Sequence, residues 1–161
     1  MGLLQPHGRG RRLLRRDELT ADAPVIAVHV LAHAVAALTA AAEIGRPVIL
    51  ASAAAAGIAG GPGWWRELIA AARAAVPAAK AMAVLDCGED AGVAQGAIRA
   101  GVEAIVFTGP PQVAERLSDI ASQSGCIFFV QRPAATLDLA AEFFASPDRL
   151  HKICTEILRT A

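Results

Sequence analysis

The chain has no tyrosine, and its five phenylalanines and two tryptophans bring aromatic residues to only 4% of 161 positions. A core built on large rings is thereby excluded. With a hydrophobic fraction of 55% the sequence can still bury one, assembled from Ala, Val, Leu and Ile. Alanine supplies roughly a quarter of the chain, which favours helices that approach a sheet closely. Net charge is also lacking: 15 basic residues balance 15 acidic ones. That balance excludes a whole-domain attraction to nucleic acid or anionic lipid. The three cysteines, Cys87, Cys126 and Cys154, form no CxxC pair, which excludes a disulfide framework or zinc knuckle and points to a reducing cytoplasm.

The run from Val25 to Ala42 carries no formal charge and is about the length of a membrane-spanning helix. His29, His33, Thr39 and the predominance of Ala over Leu lower its tendency to insert, and Glu43, Gly45 and Pro47 close it. A strand running into a helix is the expected reading, with no membrane partner. Ahead of it, residues 1–24 mix Gly, Pro, Arg and Asp and are read as a mobile basic arm. Asp17, Glu18 and Asp22 separate its arginines from the apolar run, unlike a signal peptide. The arm suits a nucleic-acid or partner contact, or is a solvated leader; no other nucleic-acid contact is expected.

From Val25 to Ala161 the pattern is a single domain of alternating strands and helices. Five strands are expected: Val25–Val30, Pro47–Ser52, Ala81–Asp86, Val102–Gly109 and Cys126–Val130. Helices begin after each, at Leu31, Trp64, the Glu89–Asp90 pair and Pro110. Residues 53–63 read as a small-residue connector. The last part, from Leu137 to Ala145 and from Pro147 onward, reads as helical. Connections of this length exclude hairpins and require a mainly parallel sheet, either open and doubly wound or a partial (βα) barrel.

In both arrangements the carboxyl ends of the strands share one edge, which gathers His29, Ser52, Asp86, Cys87, Thr108, Gln131 and Arg132. Asp86 ends an apolar run abruptly and is suited to proton transfer, or to capping the following turn. Cys87 is a candidate nucleophile or ligand, or a small half-buried filler. The glycines of residues 57–63, with Gly60, Gly61 and Gly63 ahead of a helix, suit a phosphate cradle or a plain connector. Ser52 and Thr108 are candidate ligand-binding hydroxyls. Arg132 is a candidate anion clamp, or a partner of Asp138. Of Trp64 and Trp65, one is expected in the core. A receiver-like domain fits less well, since no acidic pair follows the first strand and no lysine the fifth.

Several of these pieces together resemble the first half of a class II fructose-bisphosphate aldolase barrel. They are the segment Ala41-Ala42-Glu43-Ile44-Gly45-Arg46-Pro47-Val48-Ile49-Leu50, then Leu85-Asp86-Cys87-Gly88, where that family reads Leu-Asp-His-Gly. Ala97-Ile98-Arg99-Ala100-Gly101 and Phe107-Thr108-Gly109 continue the likeness, which spans Ala32 to Gly109. The resemblance implies that Asp86 stands where the family's proton-transfer residue stands and Cys87 where it has a zinc-binding histidine. A catalytic zinc needs about three protein ligands; His29 and His33 are four apart, but with His29 at a strand end and His33 in the following helix they are not expected to share a helical face and supply the others. The implied expectation is an aldolase-like protein without metal or other cofactor. It would act as a binding or assembly module, by homo-oligomerisation or with a protein partner. The alternative is an enzyme acting on a small phosphorylated carbonyl metabolite through Asp86.

Overall fold

The computed structural model describes residues 22–161, so the basic arm lies almost wholly outside the described residues. In chain order the elements are β1 (Val25–Ala27), α1 (Leu31–Ile44), β2 (Val48–Ala51), α2 (Ala56–Ala75), β3 (Ala81–Asp86), α3 (Ala91–Arg99), β4 (Ala104–Val106), α4 (Pro111–Gln123), β5 (Ile127–Phe129), β6 (Leu137–Asp138), a 3-10 turn (Leu139–Glu142) and α5 (Pro147–Thr160).

Local chemistry sets most of these boundaries. Gly45 closes α1 with a left-handed φ of 74°, its N–H turned back to Ala41 and Ala42. The Asp90 carboxylate accepts the Val93 N–H at the start of α3, and Ser146 does the same for Arg149 ahead of Pro147 in α5. No helix among the described residues is long and apolar enough to cross a membrane.

All strand pairs are parallel, in the order β5-β4-β3-β2-β1-β6. Strands β1 to β5 thus lie side by side in sequence order, and right-handed crossovers then put every helix on one face. The packing agrees: α4, α3, α2, α1 and α5 neighbour one another in that sequence. They bury Ile26, Leu50, Ala83, Leu85, Cys87, Ile105 and Phe107 beneath them. Met82, Val84, Ala104 and Val106 form a second cluster on the opposite face, flanked by Ile49, Ile127 and Phe129, to which none of the described helices contributes. Of the two arrangements open from sequence, the helices follow the singly wound, barrel-like one.

Three local readings differ from expectation. The Leu137–Ala145 segment is not a helix: Leu137 and Asp138 form a sixth strand on β1. The free edge of β1 outcompetes local propensity because Thr136 bonds Val25 twice, donating its N–H to the Val25 carbonyl at 2.8 Å and accepting the Val25 N–H at its hydroxyl at 3.1 Å. The connector before Trp64 is helical from Ala56, kinked where Gly61 adopts φ 78°, ψ 161° and Pro62 restarts the helix. β3 spans Ala81–Asp86 as expected, whereas the other four expected strands are two to five residues shorter than the runs that contain them.

Candidate functional site

Asp86 ends β3 at the carboxyl edge, and three neighbours enclose it. Residues 82, 84 and 86 share one face of the strand and 83, 85 and 87 the other. The Asp86 side chain therefore lies on the helix-free side and Cys87 on the helix side. Asp86 as a residue is 4% exposed. Its Oδ1 accepts the Gly88 N–H at 2.8 Å, and its Oδ2 accepts Arg132 Nη1 at 3.0 Å. Arg132 Nη2 donates to the Ser52 carbonyl at 2.6 Å. The Ser52 hydroxyl accepts the Asp86 N–H at 2.9 Å and donates to the Ala53 carbonyl at 3.0 Å. One guanidinium thus ties the ends of β2 and β3, from a segment that joins β5 at one edge of the sheet to β6 at the other.

Ser52, Asp86 and Arg132 are therefore brought together. Thr108 contributes at the rim through its backbone, its N–H donating to the Gly88 carbonyl at 2.8 Å, while its side chain is exposed. Cys87 is fully buried among the residues under the helices. Burial, followed by the neighbouring Asp86 charge, pushes its thiol up to about 12, so no thiolate forms near neutral pH. The glycines 60, 61 and 63 lie within α2, not in a loop. A Cβ on Gly60 would stand 2.8 Å from the Trp64 ring, and Pro62 lies 4.0 Å from the corresponding point on Gly96. Gly60 leaves room for the Trp64 ring and Gly61 forms the kink, Gly63 faces open space, and no described hydrogen bond joins the three to Asp86.

A second group sits at the end of β1. His29 Nε2 is 2.6 Å from Asp138 Oδ1, so Asp138 pairs with His29 and Arg132 with Asp86. Burial opposes ionisation of Asp138, but the hydrogen bonds from His29 and Ala140 and the charges of His29 and Arg132 outweigh it and hold the carboxyl below its usual range. His33 is fully buried. Its Nδ1 accepts the His29 N–H at 3.2 Å, which leaves the ring proton on Nε2, 3.2 Å from the Glu142 carbonyl. Burial lowers its pKa despite that carbonyl.

Two further residues shape this edge. Asp138, which the sequence offers as a partner of Arg132 within an expected helix, lies on β6 and holds His29 instead. Gly57 packs so closely that a Cβ there would lie 3.0 Å from the Asp86 carbonyl oxygen and 3.3 Å from the Cys87 Cα; its place in a glycine-rich run was the available signal.

A zinc of the kind the aldolase resemblance implies does not fit this donor set. Cys87 faces away from the edge, both Asp86 oxygens are engaged, and the described residues contain no group of three or more His, Cys, Asp or Glu able to hold a metal.

No family model and no curated protein matches the sequence. Among solved structures, the fold is similar to a protein from Coccidioides immitis assigned as a fructose-1,6-bisphosphate aldolase, with a TM-score of 0.55 and 17% identity over 66% of this chain. The match covers 39% of that protein's length, so this chain spans well under half of its relative. At this identity the likeness establishes an aldolase-like α/β fold.

Proposed function

We propose that this chain is an aldolase-like α/β module whose proton-transfer position has become a structural tie, and that it acts by binding or assembly and not by aldol cleavage. The observation that carries the reading is the engagement of Asp86. An acid/base carboxylate must present a free oxygen to substrate, whereas here Gly88 and Arg132 take one each and only 4% of the residue is exposed. Assembly is supported by the sheet itself. Strand β5 is an edge with no neighbour beyond it among the described residues, and such an edge offers unpaired backbone groups to another chain. A second copy pairing through β5 is the arrangement favoured. The three unbridged cysteines fit a reducing cytoplasm.

The alternative, a lyase or related enzyme on a small phosphorylated carbonyl compound, draws support from the convergence of Ser52, Asp86 and Arg132, since a guanidinium is suited to bind phosphate. One experiment separates the two. The parent and Asp86→Asn are incubated with phosphorylated aldol substrates, with and without added zinc, while melting temperature is followed. The module reading expects no turnover by either protein and a lower melting temperature for the variant. Turnover by the parent that the variant loses establishes the enzyme instead.

A further inference from the structure

Phe144 is 95% exposed, and Phe143, whose ring meets it edge-on at 5.0 Å, is 47% exposed. A lone exposed apolar side chain is ordinary, but two adjoining phenyl rings held in water call for a partner. The turn that carries them is fixed. His33 Nε2 reaches the Glu142 carbonyl at 3.2 Å, Arg149 donates to both Glu142 carboxylate oxygens at 2.6 and 2.8 Å, and the Phe143 ring lies 6.1 Å from that of His33. Phe144 is thus a preorganised knob at the carboxyl edge, after β6 and ahead of α5. The amino end of the sheet carries a hollow. It measures about 220 Å³ and is lined by Arg66, Ile69, Ala70 and Arg73 of α2 and by Gly101 and Val102 of the turn into β4. A dry cavity of about 150 Å³ suffices for benzene, so a phenyl ring fits, and guanidinium groups favour an aromatic face.

The two ends also differ in charge. At the carboxyl edge Arg132 is matched by Asp86 and Arg149 by Glu142, which leaves Glu89, Asp90, Asp138 and Asp148. At the amino end Arg73 is matched by Glu103, and Arg46, Lys80, Arg99 and Arg159 outnumber Asp22 and Glu43. Such charges suit the helix ends they occupy, and because the helices run the same way they add up to edges of opposite sign. We infer that two copies of this chain stack head to tail, the acidic carboxyl edge of one on the basic amino end of the next, with Phe144 seated in the hollow. Such a contact uses different surfaces on the two copies and can repeat. It extends the assembly reading to a surface away from β5. Centred on one ring, it is weaker than strand pairing, so it adds mass only at high concentration and a dilute column still reports the β5 pair.

The test is sedimentation of the full chain over a rising concentration series. The parent is expected to associate further as concentration rises, and added salt to oppose it. Phe144→Ser removes the knob and Ala70→Trp fills the hollow, both at exposed positions. Each is expected to weaken this association about tenfold or more with melting temperature unchanged. Mixing the two variants is expected to restore it, since one retains the hollow and the other the knob, whereas pairing through β5 is indifferent to both substitutions. A parent that is a monomer on the dilute column yet associates through Phe144 at high concentration removes the β5 pairing and supports this contact. Absence of concentration-dependent association, indifference to Phe144→Ser, or no recovery on mixing overturns the proposal.

Discussion

Asp86 divides its two oxygens between a turn amide and a guanidinium, and that division sets what its loss would cost. Replacing Arg132 by Ala leaves a buried carboxylate with Gly88 alone, at a cost of about 2 kcal/mol. In a protein of this size that is a fall in melting temperature of roughly 4–8 °C, readable by calorimetry. Arg132→Lys is expected to recover only part of it, because a single ammonium cannot span Asp86 and the Ser52 carbonyl together. His33 carries a separate dependence on pH. Its pKa falls below the usual 6.5 on folding, so the unfolded chain binds the proton more readily. Stability is then full above about pH 6.5 and falls as acid protonates the unfolded form, with Glu142, Asp138 and His29 setting the local field. Denaturant melts between pH 7.5 and 5 are expected to show that slope and His33→Gln to flatten it; an unchanged slope rejects the assignment.

At the scale of elements, the close seating of α2 on the end of β3 governs the edge. The Cβ of Gly57→Ala would meet backbone atoms of Asp86 and Cys87 and the Val93 side chain at 3.1 Å. Backbone cannot swing aside as a side-chain tip can, so the expected loss is about 1–3 kcal/mol. Gly63→Ala is the control: nothing lies within 4 Å of its Cβ and the position is helical. That substitution is expected to leave stability unchanged or raise it by up to about 1 kcal/mol. Equal effects of the two in chemical denaturation would show that the close approach is not limiting.

At the scale of the whole molecule, the strand order leaves the sheet unclosed among the described residues, with helices packed on one face. Edge strand β5 carries Phe128 and Phe129, both half-buried, and pairing of two β5 strands would extend the sheet across a two-fold axis. Light scattering after size exclusion is expected to give a dimer of 16.6 kDa chains, and Phe128→Lys or Phe129→Lys a monomer. A concentration-independent monomer for the parent removes the self-assembly reading and leaves a different protein partner.

The sequence by itself determined the alternation of strands and helices, because periodicity, proline and glycine act locally. Gly45, Asp90 and Pro147 mark helix ends by rules that need no tertiary contact. It also determined that Ser52, Asp86 and Arg132 share one edge, since parallel strands end on the same side. Tertiary structure alone decided which partner each charge takes. Arg132 had Asp86 and Asp138 available, and the choice followed from β6 pairing with β1, which commits Asp138 to His29. It likewise decided that Cys87 enters the core and that Leu137–Asp138 becomes a strand. Both follow from which face of β3 the helices cover and from the free edge of β1, and these are long-range facts that no local window of sequence contains.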